Sequence, residues 1–111
     1  MYKLDFYIAV SDKQDRRALS HFEKVSGYGE TLRTSKGREI EFGFDKRDRG
    51  WYVTEVSSGM AIPTVYETRM KALAALNNEM LSRVDKAMSN ESYKAVTKKL
   101  NEYKTKCTEV A

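Results

Sequence analysis

The side chains with the clearest capacity for chemistry are four carboxylates, Glu39, Glu41, Asp45 and Glu55. The first three fall on one face of a strand read over Arg38 to Asp45, and Glu55 lies on the strand that follows. Carboxylates gathered on a sheet, with Lys46 beside them, could hold Mg²⁺ and cleave a phosphodiester. Their spacing matches no nuclease pattern, and alternating charges on the solvent face of an antiparallel sheet account for them. His21 is the only histidine and has no companion to complete a zinc set, so it reads as a surface or boundary residue. Cys107, the only cysteine, falls on the apolar stripe of a C-terminal helix, where cysteine behaves as a small hydrophobe. Lys104 and Lys106 alone do not make it a thiolate nucleophile. Gly27-Tyr28-Gly29 lacks the third glycine and the strand-to-helix setting of a phosphate loop. No serine elbow is present. The expectation is a protein that is not an enzyme and takes no metal or cofactor.

Basic residues gather in three places: Arg33, Lys36 and Arg38 at one hairpin tip; Lys46, Arg47 and Arg49 at the next turn; and Lys94, Lys98, Lys99, Lys104 and Lys106 on the last helix. Acidic residues interrupt each cluster, and a solvated mixed-charge surface accounts for them. The sharper reading puts Arg47 and Arg49 on phosphates and Trp51 and Tyr52 on bases, with Arg33, Lys36 and Arg38 as further contacts. A net charge of +4 permits nucleic-acid binding without requiring it. The same Lys46–Tyr52 turn is where a protein-binding hot spot is expected, since tryptophan, tyrosine and arginine dominate interfaces.

The elements that would position these groups follow from periodicity. Gly50 to Leu81 reads as strand, turn, short strand and helix, and organises the rest. Trp51 to Val56 is aromatic and β-branched. Gly59 supplies a tight turn after Ser57-Ser58. Met60 to Ile62 returns, and Pro63 ends the ladder. Upstream, Tyr2, Leu4, Phe6, Ile8 and Val10 alternate with polar or smaller residues, a strand. Ser11-Asp12-Lys13-Gln14 fits a capping box, and Ala18, Leu19, Phe22 and Val25 a helical stripe, so a helix is expected from about Asp12 to Val25, stopped by Gly27. Tyr28 to Thr34 is a weaker strand. In the strand from Arg38 to Asp45, Ile40, Phe42 and Phe44 face the core. One long helix, starting at Thr64 or Thr68, carries Tyr66, Met70, Leu73, Leu76 or Asn77, Met80 and Val84 on its stripe. Ser89-Asn90 breaks it and caps another from Glu91, where Tyr93, Val96, Leu100, Tyr103, Cys107 and Val110 form a heptad-like seam.

The fold class is therefore α+β: an N-terminal strand and helix, an antiparallel meander of three or four strands, and two C-terminal helices packed as a hairpin, in one domain over residues 1–111. The alternative use of the last helix is a homodimer. One cysteine, no signal-like N-terminus and no apolar run long enough to span a bilayer point to a cytoplasmic protein with no membrane partner.

The layout Trp51-Tyr52-Val53-Thr54 … Gly59 … Thr68-Arg69-Met70-Lys71-Ala72-Leu73 resembles small accessory proteins of Gram-positive phages and plasmids, with their W-x-V-T…G…T-R-x-x-A-L pattern. The resemblance implies a non-catalytic protein that binds a host protein. The best-known functional group among such proteins is the anti-CRISPR inhibitors, and the implied partner is then a CRISPR effector nuclease or its guide-RNA complex. A basic nucleic-acid-binding accessory protein is the second reading and a metal-dependent nuclease the third.

Overall fold

The computed structural model describes residues 1–16 and 18–110, and of 107–110 the backbone alone. Its sheet is a meander of five strands in sequence order: β1 (Tyr2–Ser11), β2 (Leu19–Arg33), β3 (Glu39–Arg47), β4 (Gly50–Glu55) and β5 (Met60–Ala61). Every neighbouring pair is antiparallel. Three helices follow: α1 (Arg69–Ala75), α2 (Asn78–Met88) and α3 (Glu91–Val110). No helix among the described residues is long and apolar enough to cross a membrane.

The helix expected from Asp12 to Val25 is a hairpin loop and half of β2. Ser11, the expected cap, is the last residue of β1, and the side-chain acceptor is Asp12, serving a turn: its Oδ1 takes the N–H groups of Gln14 and Asp15 at 2.8 and 3.3 Å. The Asp12 N–H then donates to the Ala18 carbonyl at 2.9 Å and closes the loop. The supposed stripe divides between two faces. Phe22 is opposite Ala9 and Val25 is opposite Phe6, and direct cross-strand partners share a face. Phe22 therefore meets Tyr103 of α3, with ring centres 5.7 Å apart, while Val25 lies on the other side beside Phe6.

The helix-covered face carries the main core. Ile40, Phe42, Phe44 and Val53 pack with Ile62, Ala72, Leu76, Leu81 and Val84. The expectation that Ile40, Phe42 and Phe44 point together to a helix layer is met. The single long helix is instead two. Asn77 has extended backbone and its side chain accepts from the Met80 N–H, which starts α2 afresh. Thr68, the later of the two expected caps, starts α1 by accepting from the Lys71 N–H. The heptad-like seam of α3 turns to the sheet: Tyr93 and Leu100 are buried, and Tyr103 meets Tyr7 edge-on at 5.5 Å. The side chains of Cys107 and Val110 lie outside the described residues.

The opposite face is concave. Phe6 and Ile8 of β1 are buried there, although no apolar helix face is needed to cover them. The sheet curls until the Ala9 N–H of β1 donates to the Gly59 carbonyl at 2.7 Å. Gly59 turns the chain there with φ +75°, as its place after Ser58 suggested.

Candidate interaction surface

The β3–β4 turn and its surroundings bring together most of the residues singled out for binding. Lys46 is opposite Trp51 on the helix-covered face, whereas Asp45 is opposite Tyr52 on the concave face. Trp51 and Tyr52 thus do not form one exposed edge; they serve two sides of the turn. On the helix side, the Trp51 N–H donates to the Tyr66 carbonyl at 2.7 Å, and the Trp51 carbonyl accepts from the Tyr66 N–H at 2.9 Å. This bridge lays the segment before α1 beside β4. It delivers Arg69, the first residue of α1, over Tyr28 at 4.2 Å and towards Trp51 at 6.0 Å. The Tyr28 and Trp51 rings are 6.2 Å apart. All four, Tyr28, Trp51, Tyr66 and Arg69, are half-buried. Val65 and Met70 stand exposed next to them in the chain, Met70 at 66%.

On the concave side Asp45 is buried and grips Arg47 with a two-point fork, Nε to Oδ2 at 2.6 Å and Nη2 to Oδ1 at 3.1 Å. The Arg47 guanidinium lies over the Tyr52 ring at 4.3 Å. Such a planar, doubly bonded cation loses little further freedom on binding. Lys46 and Arg49 are exposed, and neither has an ion-pair partner among the described residues. The turn end of the sheet therefore combines oriented arginines, half-exposed rings and open positive charge.

The second basic cluster is built differently. Arg33 pairs with Glu39 at 2.9 Å, and Arg38 reaches Asp85 of α2 at 2.9 Å. Lys36 is exposed at the hairpin tip. Meander topology sets this tip at the opposite end of β3 from Lys46 and Arg49, so the clusters do not merge. The α3 lysines Lys94, Lys98, Lys99 and Lys106 are exposed, and Lys104 lies 5.9 Å from the Tyr7 ring centre.

The four carboxylates are dispersed. Glu39 is taken by Arg33, Asp45 by Arg47, and Glu41 by the Tyr2 hydroxyl. Glu55 is opposite Phe42 and so lies on the helix side, away from the other three. Lys46 also faces away from Asp45. Glu55 is on the neighbouring strand as expected, but this register turns it to the other face, and the described residues hold no cluster of three metal-ligating groups. His21 is exposed and bonded locally, to Ser20 Oγ and Glu23 Oε1, both at 2.9 Å.

Sequence reasoning missed two partners. Arg69 was legible only as a helix residue, since nothing local shows that it folds back on Trp51. Glu55 carried a signal: by period two it shares the face of Val53, which marks a buried carboxylate. It is 2% exposed and accepts from the Ser57 N–H and hydroxyl at 2.7 and 2.6 Å and from the Tyr93 hydroxyl at 2.9 Å. Burial, and then the adjacent Glu55 charge, push the Tyr93 hydroxyl above the ordinary tyrosine range.

The W-x-V-T…G…T-R-x-x-A-L residues now have separable roles. Val53, Thr54 and Ala72 are buried, Gly59 makes a turn, and Thr68 caps α1. Trp51 packs against the edge of the core while staying half-exposed, and Arg69, which neither core nor cap formation explains, meets it there. Compared with known protein families, curated proteins and solved structures, the chain matches none.

Proposed function

We propose that this is a non-catalytic binding protein that docks on another protein through the Tyr28–Trp51–Arg69 end of its sheet. The observation that carries this reading is the convergence of Trp51 and Arg69 over Tyr28, beside the exposed Lys46, Arg49, Val65 and Met70. Interface hot spots have this composition, with aromatic and arginine anchors that are partly ordered before binding. The resemblance of the same segment to phage and plasmid accessory proteins supports a sharper version: an inhibitor of a host defence nuclease, of the anti-CRISPR type, that acts by contact with the nuclease or its guide-RNA complex.

A nucleic-acid-binding accessory protein is the second reading, favoured by the open charges of Lys46 and Arg49. Against it, the Tyr28 face already carries the Arg69 guanidinium, and Arg33 and Arg38 are engaged with carboxylates. Pull-down of the tagged protein from host lysate, with and without nuclease digestion, separates the readings. A stoichiometric protein partner that survives digestion supports the inhibitor. Loss of all protein on digestion, with binding that weakens steeply as salt rises, supports the second reading instead.

A further inference from the structure

A groove of about 470 Å³ runs between β5 and α2, walled by Met60, Ile62, Pro63, Met80, Val84 and Ala87. Its size and its make-up, apolar walls with a few polar groups, are those of a small-molecule site. Two methionines give the walls some freedom to adapt. Glu55 and Tyr93 close the inner end and Arg83 stands at the rim.

The inner end carries a buried carboxylate. Glu55 is 2% exposed, and its carboxylate forms no ion pair among the described residues. Its donors are all neutral: two on Oε2 from Ser57, and one on Oε1 from Tyr93. A carboxylate offers about four lone-pair sites, which leaves one on Oε1. A buried charge held only by neutral donors interacts strongly with any cation that reaches it. Arg83 is not among its partners: its exposed guanidinium stands 2.8 Å from Glu79.

We propose that this groove binds a small apolar amine, with its hydrocarbon or aromatic body between β5 and α2 and its ammonium group directed at Glu55. The site shares no residue with the Trp51–Arg69 surface and does not rest on that reading. Tryptamine, tryptophol and indole-3-acetate offer one ring system with positive, neutral and negative ends. Titrated into ¹⁵N-labelled protein, tryptamine is expected to shift the amides of Met60, Ala61, Ile62 and Val84. It should bind about tenfold or more tightly than tryptophol, the worth of a charge-assisted bond, with indole-3-acetate weakest. Ala87→Phe, at an exposed position of α2, fills the groove and should abolish the shifts. Glu55→Gln should erase the preference for the amine over the alcohol. If that variant does not fold, the ligand series and Ala87→Phe decide alone. Equal affinity for the three ligands, shifts that survive Ala87→Phe, or no groove shifts at millimolar ligand would overturn the proposal.

Discussion

The Phe6 ring lies against Gly43, two strands away across the concave face: a Cβ at residue 43 would stand 2.6 Å from the ring Cζ. In a flat sheet the side chain of β1 would not reach β3 in this way, because neighbouring strands alone are about 4.8 Å apart. The curl of the sheet and the missing side chain at 43 depend on each other. Gly43→Val is expected to destabilise the fold by about 1–3 kcal/mol through overpacking. Phe6→Leu should recover part of that loss in the double variant. Urea denaturation of the four proteins checks it, and strictly additive effects would show that the two residues do not interact.

Tyr93 ties α3 to the sheet through Glu55. Tyr93→Phe leaves a buried carboxylate short of a donor and should cost about 1–3 kcal/mol. The same bond sets an alkaline limit. The folded-state value of Tyr93 is raised above its ordinary 10.0, so its contribution is complete below pH 10 and is lost as pH climbs towards the folded value. Thermal midpoints measured from pH 8 to 11 should fall more steeply for the natural protein than for Tyr93→Phe. Parallel curves would remove Tyr93 from this role.

Thr54 is fully buried opposite Gly43 and Ala61, and its hydroxyl finds no hydrogen-bond partner among the described residues. An orphan hydroxyl in such a place is a cost, and valine has the same shape without it. Thr54→Val is therefore expected to raise the unfolding free energy by about 1 kcal/mol. A lower denaturation midpoint would mean that the hydroxyl is satisfied in solution.

The docking surface predicts an asymmetry between the two ends of β3. Arg69→Ala or Trp51→Ala should weaken partner binding by about tenfold or more, the scale of a hot-spot residue. Arg33→Ala, at the opposite end, should change it by less than about twofold, since an exposed pair contributes little. Calorimetric titration against the captured partner reads both, with circular dichroism to confirm that each variant is folded. A larger loss from Arg33→Ala would move the interface to the β2–β3 tip.

How much of this was legible beforehand varies by element. The strand Arg38 to Asp45 was readable because its large apolar residues, Ile40, Phe42 and Phe44, all fall on one face, although Gly43 and Asp45 on the other are buried as well, and the short return at Met60 was readable from the turn at Gly59 and the stop at Pro63. The second half of β2 was expected as the weaker strand Tyr28 to Thr34; its first half was not, because Phe22 and Val25 are used on opposite sides of the sheet, and a strand with work on both faces loses its period of two. The spacing that remained mimicked a helix, and Asp12 supplied acceptor chemistry that turns and helix starts have in common. The join between α1 and α2 was hidden for a related reason. Leu73, Leu76, Met80 and Val84 stay on the core side through the break, so only Asn77 and Asn78, weak helix formers, marked it. At the candidate surface, the turn Lys46 to Tyr52 was readable from composition. Its contact with Arg69 was not, since it arises from the return of the chain past β4.

β2 changes neighbours within its length. Leu19 to Gly29 pairs with β1 and Tyr28 to Arg33 pairs with β3, so only Tyr28 and Gly29 belong to both ladders. The Asp12 to Ala18 end of this hairpin is held to the rest by few links, chiefly the Ala9–Gly59 bond and the rings around Tyr103, whereas its other end is tied to β3 by the two-residue overlap, by Phe6 against Gly43 and by the Tyr2 hydroxyl on Glu41. In the language of partial unfolding, that loop end is expected to open as a unit of its own. Amide protons of Leu19 to Ser26 are expected to exchange together, faster than those of Ile40 to Phe44, and Tyr103→Ala should speed the first group while leaving the second unchanged. The molecule would then open first at the Asp12 to Ala18 end of the hairpin, while Tyr28, paired with Phe44 of β3 at the other end, stays in place under Arg69.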